Sequence, residues 1–253
     1  MIRPVALITG GRRGIGRAIS VALAKAGNDI AFTDVAEDEA THEALKIFAE
    51  AGAKARFFRH DVAAVDSHAG LVDAVLSDFG RLDLFISNAG IGAPVRGDML
   101  EITPDSFDVV MNVNLRGAAF LSQEVAKAMI ARRPERPAIV FITSASTELV
   151  SIDRAQYCVS KLGLSMWAKA LAVRLAPVGI PVFEVRPGVI RTDMTAKVAA
   201  KYDARIAEGL IPAGRWGEGE DVAACVAALA SGQFAYATGT VINADGGLLI
   251  PRL

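Results

Sequence analysis

The chain has 253 residues, 52% of them hydrophobic, which is enough material for one sizeable core. Its 27 Lys and Arg against 28 Asp and Glu leave a net charge of -1, which gives no support to a nucleic-acid or membrane-surface partner. Two cysteines, Cys158 and Cys225, argue against a disulfide scaffold, and no apolar run reaches the ~18 residues of a membrane span.

The opening MIRPVALITGG passes straight into a strand-like run, with neither the apolar stretch nor the cleavage site of a signal peptide. The expectation is a cytoplasmic protein. Val5 to Ile8 is nearly continuous apolar, as a strand buried on both faces should be. A helical pattern follows from Gly14 to Ala26 and Gly27 stops it. Asp29 to Thr33 reads as a second strand and Glu37 to Ala51 as a helix; Ala55 to His60 is a third strand, with a helix ending near Phe79. Leu82 to Ile86 is a fourth strand, and Pro104 opens a long helix to about Ala131. Ala138 to Ile142, Ile180 to Val185 and Thr240 to Asn243 are further strands, separated by helices containing YCVSK and beginning near Glu218. This alternation predicts an α/β fold, a doubly wound parallel sheet of about seven strands with helices on both faces. No Pro/Gly/Ser linker and no internal repeat divides residues 1–253, so one domain is expected. In such sheets ligands bind beyond the carboxyl ends of the strands, and a functional residue should meet that edge.

Thr9 to Gly16, TGGRRGIG, follows the first strand and opens a helix. Gly10, Gly14 and Gly16 let backbone N–H groups approach a phosphate at a positive helix end, with Arg12, Arg13 and Ile15 between them; the plain alternative is a turn. Asp34, ending the second strand, can accept from the adenosine ribose hydroxyls and would repel a 2'-phosphate. NAD is therefore favoured, with NADP as the alternative because Arg12 or Arg13 can pair with that phosphate. Asp61, with Val62 after it, is placed to meet the adenine edge or else to cap the next helix. Asn88, Ala89 and Gly90 follow the fourth strand, where small residues let the backbone pass under a cofactor.

Tyr157 and Lys161 are one turn apart on a helix. The pair alone is a weak signal, but Asn114, Ser144 and Pro187-Gly188 meet the same sheet edge. An ammonium near a phenol, together with the cationic ring of an oxidised nicotinamide, is expected to lower its pKa from about 10, making it a usable acid–base group for a secondary alcohol as hydride moves to or from the cofactor. Ser144 would stabilise the developing alkoxide. His42, His60 and His68 lack metal-ligand spacing and read as solvated or capping; no metal is expected.

With these residues together, the chain resembles the short-chain dehydrogenase/reductase family along essentially its whole length: TGGRRGIG, Asp34, the DV at Asp61, NAG, Asn114, Ser144, YCVSK, RPGVIRTDM and TGTVINADGG. The resemblance implies a Rossmann-type sheet and a catalytic tetrad of Asn114, Ser144, Tyr157 and Lys161. It further implies that Lys161 binds the nicotinamide ribose, that Asn114 helps hold a relay water, and that Ile190 and Thr192 contact the nicotinamide amide. It also implies a mobile substrate loop at about 192–214 and a homotetramer built partly on helices 105–131 and 155–176. Within the family the chain is similar to 3-oxoacyl-(acyl-carrier-protein) reductases, which act on a thioester-linked ketone. The alternatives are an NAD-dependent sugar, polyol or hydroxy-acid dehydrogenase, with Arg96 and Arg154 available to an anionic group, and a non-catalytic cofactor-binding regulator. The apolar tail 248–253 is expected to dock, on its own chain or a neighbour.

Overall fold

The computed structural model describes residues 3–196 and 198–252; Met1, Ile2, Lys197 and Leu253, which fall within the 1–253 unit, the substrate loop and the tail read above, lie outside that description. Seven strands form: β1 (Val5–Thr9), β2 (Asp29–Asp34), β3 (Ala55–Arg59), β4 (Leu84–Ser87), β5 (Ala138–Ile142), β6 (Val182–Pro187) and β7 (Val241–Ala244). They pair in parallel in the order β3-β2-β1-β4-β5-β6-β7. The strand order reverses between β1 and β4, which sets the ligand crevice at their carboxyl ends.

Alternation along each strand divides the core into two layers. Val5 and Leu7 of β1 face one layer, with Leu121, Val125, Leu164 and Leu175. Ala6 and Ile8 face the other, with Ile19, Leu23, Phe48, Val222 and Val226. The first layer is covered by α3 (His68–Phe79), α5 (Ala118–Arg132) and α6 (Ala155–Leu175). The second is covered by α1 (Gly14–Lys25), α2 (Glu39–Glu50) and α9 (Gly219–Ala230). Burial of strands on both faces explains their continuous apolar runs.

Three segments differ from the sequence expectation. The helix expected over 104–131 is α4 (Pro104–Met111), a widened π turn (Asn112–Gly117) and then α5. Gly117 lies there against the Val62 carbonyl, where a Cβ would come within 2.1 Å of the oxygen. β4 starts at Leu84 because Asp83 turns its carboxylate to the Val5 N–H at 2.8 Å and to Arg81 at 2.6 Å. The 192–214 segment carries α7 (Asp193–Ala196) and α8 (Ala199–Ala207), anchored where Ile206, Ile211 and Trp216 cluster with Leu248. The tail docks here: the Arg252 guanidinium donates to the Gly209 and Leu210 carbonyls at 3.0 and 3.1 Å.

Candidate active site

The glycine turn joins β1 to α1. Gly10 and Gly14 hold φ of +66° and +53°, which a side chain would resist. Gly16 is fixed by space, since a Cβ there would meet the Gly10 carbonyl at 2.1 Å. These glycines form a cradle that Cβ atoms would fill, which fits a phosphate seated on backbone N–H groups. Ile15 packs against the α1 side of the core.

A residue outside the sequence-read set ties this turn to β4. The Thr9 hydroxyl accepts from the N–H groups of Asn88 and Ala89, both at 3.0 Å. Asn88 Nδ2 donates back to the Thr9 and Gly10 carbonyls at 2.9 and 3.1 Å. Asn88 therefore does not make an ordinary Asn-Gly turn. It staples the two strands at the crevice.

Arg12 and Arg13 separate sharply. Arg12 is buried, and its guanidinium meets Asp34 at 3.4 Å and donates to Asp38 as well. Arg13 is exposed and reaches Asp193 at 3.3 Å. Asp34 uses its other oxygen on the Val35 N–H, at 2.9 Å. Asp61 is exposed and its carboxylate accepts from Ala63 N at 2.9 Å in a local turn; it does not cap the next helix, α3, which begins at His68. Val62 is buried beside it, and its carbonyl receives His68 Nε2 at 3.0 Å. The histidine expectation fails for two of the three: His60 and His68 are buried, with ring centroids 5.3 Å apart.

The second half of the site assembles on α6. Lys161 is 4% exposed and its Nζ donates to the Ile142 carbonyl, the last residue of β5, at 3.0 Å. Gly163 lets α6 approach the widened turn closely: a Cβ there would lie 2.9 Å from Leu115. The turn presents Asn114 inward. Its Oδ1 accepts from Ile91 N at 2.8 Å, and its Nδ2 donates to the Ile91 carbonyl at 2.9 Å and to Ser160 Oγ at 3.1 Å. Widened turns of this kind recur at functional sites. Gly90 lies over both groups, its missing Cβ position 3.2 Å from Asn114 Oδ1 and 3.3 Å from Lys161 Nζ.

Ser144 follows β5, and its Oγ accepts from Ser146 N at 3.0 Å, which leaves the hydroxyl hydrogen free to donate. Tyr157 is buried, and burial opposes the lowering expected from the ammonium and a cationic nicotinamide. Burial is the largest influence and pushes the phenol up from its usual range; Ser144, then Arg154 and Arg96, act against it. Lys161 is not among the opposing cations: its ammonium is 5.9 Å from the Tyr157 ring centroid and turned to the β5 carbonyl. Burial pulls Lys161 itself down to about 8, with Glu184 resisting. The sequence offers Arg154 to an anionic group. Its guanidinium stands 5.0 Å over the Tyr157 ring and donates to Ser146 Oγ at 3.3 Å, with no carboxylate within 4.0 Å among the described residues.

Pro187 and Gly188 end β6. A Cβ on Gly188 would sit 2.7 Å from the Asp245 Cα, so only glycine lets the chain pass. Ile190 is buried, and Thr192 faces the cradle, its Cγ2 3.6 Å from where a Gly14 Cβ would be. Cradle, tetrad and Thr192 thus share one crevice. Among the described residues, no helix is long and apolar enough to cross a membrane.

A family model described as enoyl-(acyl carrier protein) reductase matches residues 10–249. The chain belongs to the short-chain dehydrogenase/reductase family. A solved relative is the 3-oxoacyl-(acyl-carrier protein) reductase of Brucella melitensis in complex with NAD. It is 54% identical, with a TM-score of 0.95 and 99% of each chain covered. The 3-oxoacyl-(acyl-carrier-protein) reductase of Haemophilus influenzae is 36% identical over 97% of this chain and 98% of its own. The 2-dehydro-3-deoxy-D-gluconate 5-dehydrogenase of Dickeya dadantii is 35% identical over 97% of this chain and 95% of its own. Membership of this family makes the chain an oxidoreductase that uses a nicotinamide dinucleotide.

Proposed function

We propose that this short-chain dehydrogenase/reductase interconverts a secondary alcohol and a ketone, with a 3-oxoacyl thioester as the leading substrate class and residues 1–253 working as one unit. The reading is carried by the convergence of Tyr157, Lys161, Ser144 and Asn114 on one side of a glycine cradle. Two similar proteins named as 3-oxoacyl reductases support the substrate class.

When bound, the dinucleotide exchanges a hydride at the substrate carbon and, oxidised, adds positive charge nearby. The remaining work falls to the chain. Gly10, Gly14 and Gly16 seat the pyrophosphate, Asp34 takes the adenosine ribose hydroxyls, and Asp61 and Val62 flank the adenine. Asn88, Ala89 and Gly90 floor the cofactor channel; Pro187, Gly188, Ile190 and Thr192 hold its nicotinamide end. Tyr157 Oη, protonated through its burial, gives its proton to the ketone oxygen; in the reverse direction it would take the alcohol proton as phenolate, a form that the cationic ring of the oxidised dinucleotide would favour. Ser144 Oγ donates to that same oxygen as charge develops. Lys161 holds the nicotinamide ribose, with its ammonium anchored on the Ile142 carbonyl. Asn114 keeps the 91 loop and a relay water in place.

NAD is the cofactor we assign, because Arg12 is already balanced by two carboxylates, Asp34 and Asp38. A second reading, an NAD-dependent hydroxy-acid or sugar-acid dehydrogenase, is favoured by the unpaired Arg154 guanidinium above Tyr157. We also assign a homotetramer, since α6 exposes Val159, Leu162, Met166 and Val173 along its outer face.

Rates with 3-oxoacyl thioesters, 3-oxo acids and sugar acids, each with both dinucleotides, separate the two substrate readings. The acid–base assignment is tested by Tyr157→Phe, expected to lower kcat by ~100-fold or more and leave NAD affinity within ~2-fold. A Phe variant that keeps most of its rate would sink the assignment and revive the regulator.

A further inference from the structure

A fully buried central strand should be apolar, yet β6 reads VFEVRP. Phe183 and Val185 point into the α1 layer of the core. Glu184 and Arg186, two residues apart, share the opposite face, towards α6. They are 2% and 8% exposed. Charges in such a place are costly unless fully bonded, and an apolar pair would fill the space at less cost.

Their bonds reach three points around the site. Arg186 Nε donates to Glu184 Oε1 at 2.7 Å, and Nη2 donates to Ser165 Oγ at 3.1 Å. Arg186 Nη1 donates to Glu148. Glu184 accepts from Thr143 Oγ1 at 2.6 Å and from Ser165 Oγ at 2.8 Å. Thr143 immediately precedes Ser144, and Glu148 closes the 3-10 turn (Ala145–Thr147) that follows it. Ser165 lies one turn beyond Lys161 on α6. The two charges therefore grip both flanks of Ser144 and the helix that carries Tyr157 and Lys161.

We propose that Glu184 and Arg186 are positioning residues for this reaction, holding the Ser144 loop and α6 at a fixed separation so that the serine hydroxyl and the phenol act on one oxygen while Lys161 stays in place for the nicotinamide ribose. Neither touches substrate; they act through Thr143, Glu148 and Ser165. The carboxylate also favours the charged form of Lys161 against its burial. The inference rests on the acid–base assignment of Ser144, Tyr157 and Lys161 made above.

The test compares Arg186→Met, the apolar double variant Glu184→Leu/Arg186→Met, and Glu148→Gln, in the full-length enzyme. Glu148 is 49% exposed at its side chain, so its variant decides the matter should the buried ones fail to fold. Steady-state rates with an active alcohol and NAD, or an active ketone and NADH, are measured, together with NAD affinity and the thermal midpoint. Arg186→Met and the double variant are expected to lose ~10- to 100-fold in kcat, and Glu148→Gln ~10-fold, because small misplacements of reacting groups cost that much. KM and NAD affinity should stay within ~2-fold. A double variant or a Glu148→Gln variant with wild-type kcat overturns the proposal, as does a loss falling equally on kcat, KM and NAD affinity. Tyr157→Phe runs alongside. Full activity there refutes the acid–base assignment itself, whereas an inactive Phe variant beside a fully active Arg186→Met refutes only the positioning pair.

Discussion

Replacing Asp34 with serine should move cofactor preference towards NADP, and its size follows from the charges around it. Asp34 lies 3.4 Å from Arg12, which also pairs with Asp38. Two carboxylates against one guanidinium leave about one negative unit beside the site proposed for the adenosine ribose. A 2'-phosphate ~4 Å from one such unit is opposed by about 4 kcal/mol at surface-like dielectric, and roughly half of that after screening. About 2–4 kcal/mol corresponds to ~30- to 1000-fold in selectivity. Asp34→Ser removes that repulsion and frees the Arg12 guanidinium to meet the phosphate. The assay is kcat/KM for NAD and for NADP with one substrate. The NADP/NAD ratio should rise by at least ~30-fold, and Arg12→Ala in the serine background should cancel most of the gain. A ratio within twofold of wild type would refute the placement of Asp34 at the ribose.

Gly16→Ala puts a methyl 2.1 Å from the Gly10 carbonyl, so the cradle must open; NAD titration should show at least ~10-fold weaker binding, and unaltered affinity would remove the pyrophosphate from this turn. Burial, with His68 adding like charge, holds His60 down to about 4. With the unfolded value near 6.5, its contribution is fully present above pH 6.5 and is lost as pH falls towards 4, by up to about 3 kcal/mol. Urea midpoints across pH 7 to 4 should fall less steeply for His60→Leu, and parallel curves would contradict this. Glutamates at Met166 and Val173, 63% and 77% exposed, should convert a tetramer to smaller species in light scattering, and an unchanged mass would free this face of that role.

What the sequence makes legible is set by how local each signal is. Strand runs, the glycine turn and the Tyr157–Lys161 spacing are local, and the fold follows from them. The π turn is invisible because six residues of altered register barely disturb a helical pattern; its cause, Gly117 against the Val62 carbonyl, is a distant contact. Asp61 reads as a helix cap or an adenine contact, and only the turn through Ala63 N on Oδ1, a bond two residues away, shows that the helix cap is not made. Thr9 reads as the end of a strand until Asn88 is seen beside it. Glu184 and Arg186 are not singled out by the sequence, because a charged residue within a strand run does not show which buried partners will meet it. The phenol's raised pKa was missed for a similar reason: i to i+4 spacing sets a shared face, whereas the ammonium turns to Ile142.

The staple at Thr9 has a consequence for how this scaffold diversifies. The Thr9 hydroxyl and the Asn88 amide together tie β1 to the segment after β4, so the floor proposed for the nucleotide is held by the chain's own hydrogen bonds. New chemistry on the fold must then come from elsewhere, from the α7–α8 cover and the arginines at its margin. Those can be exchanged without retuning the floor beneath them.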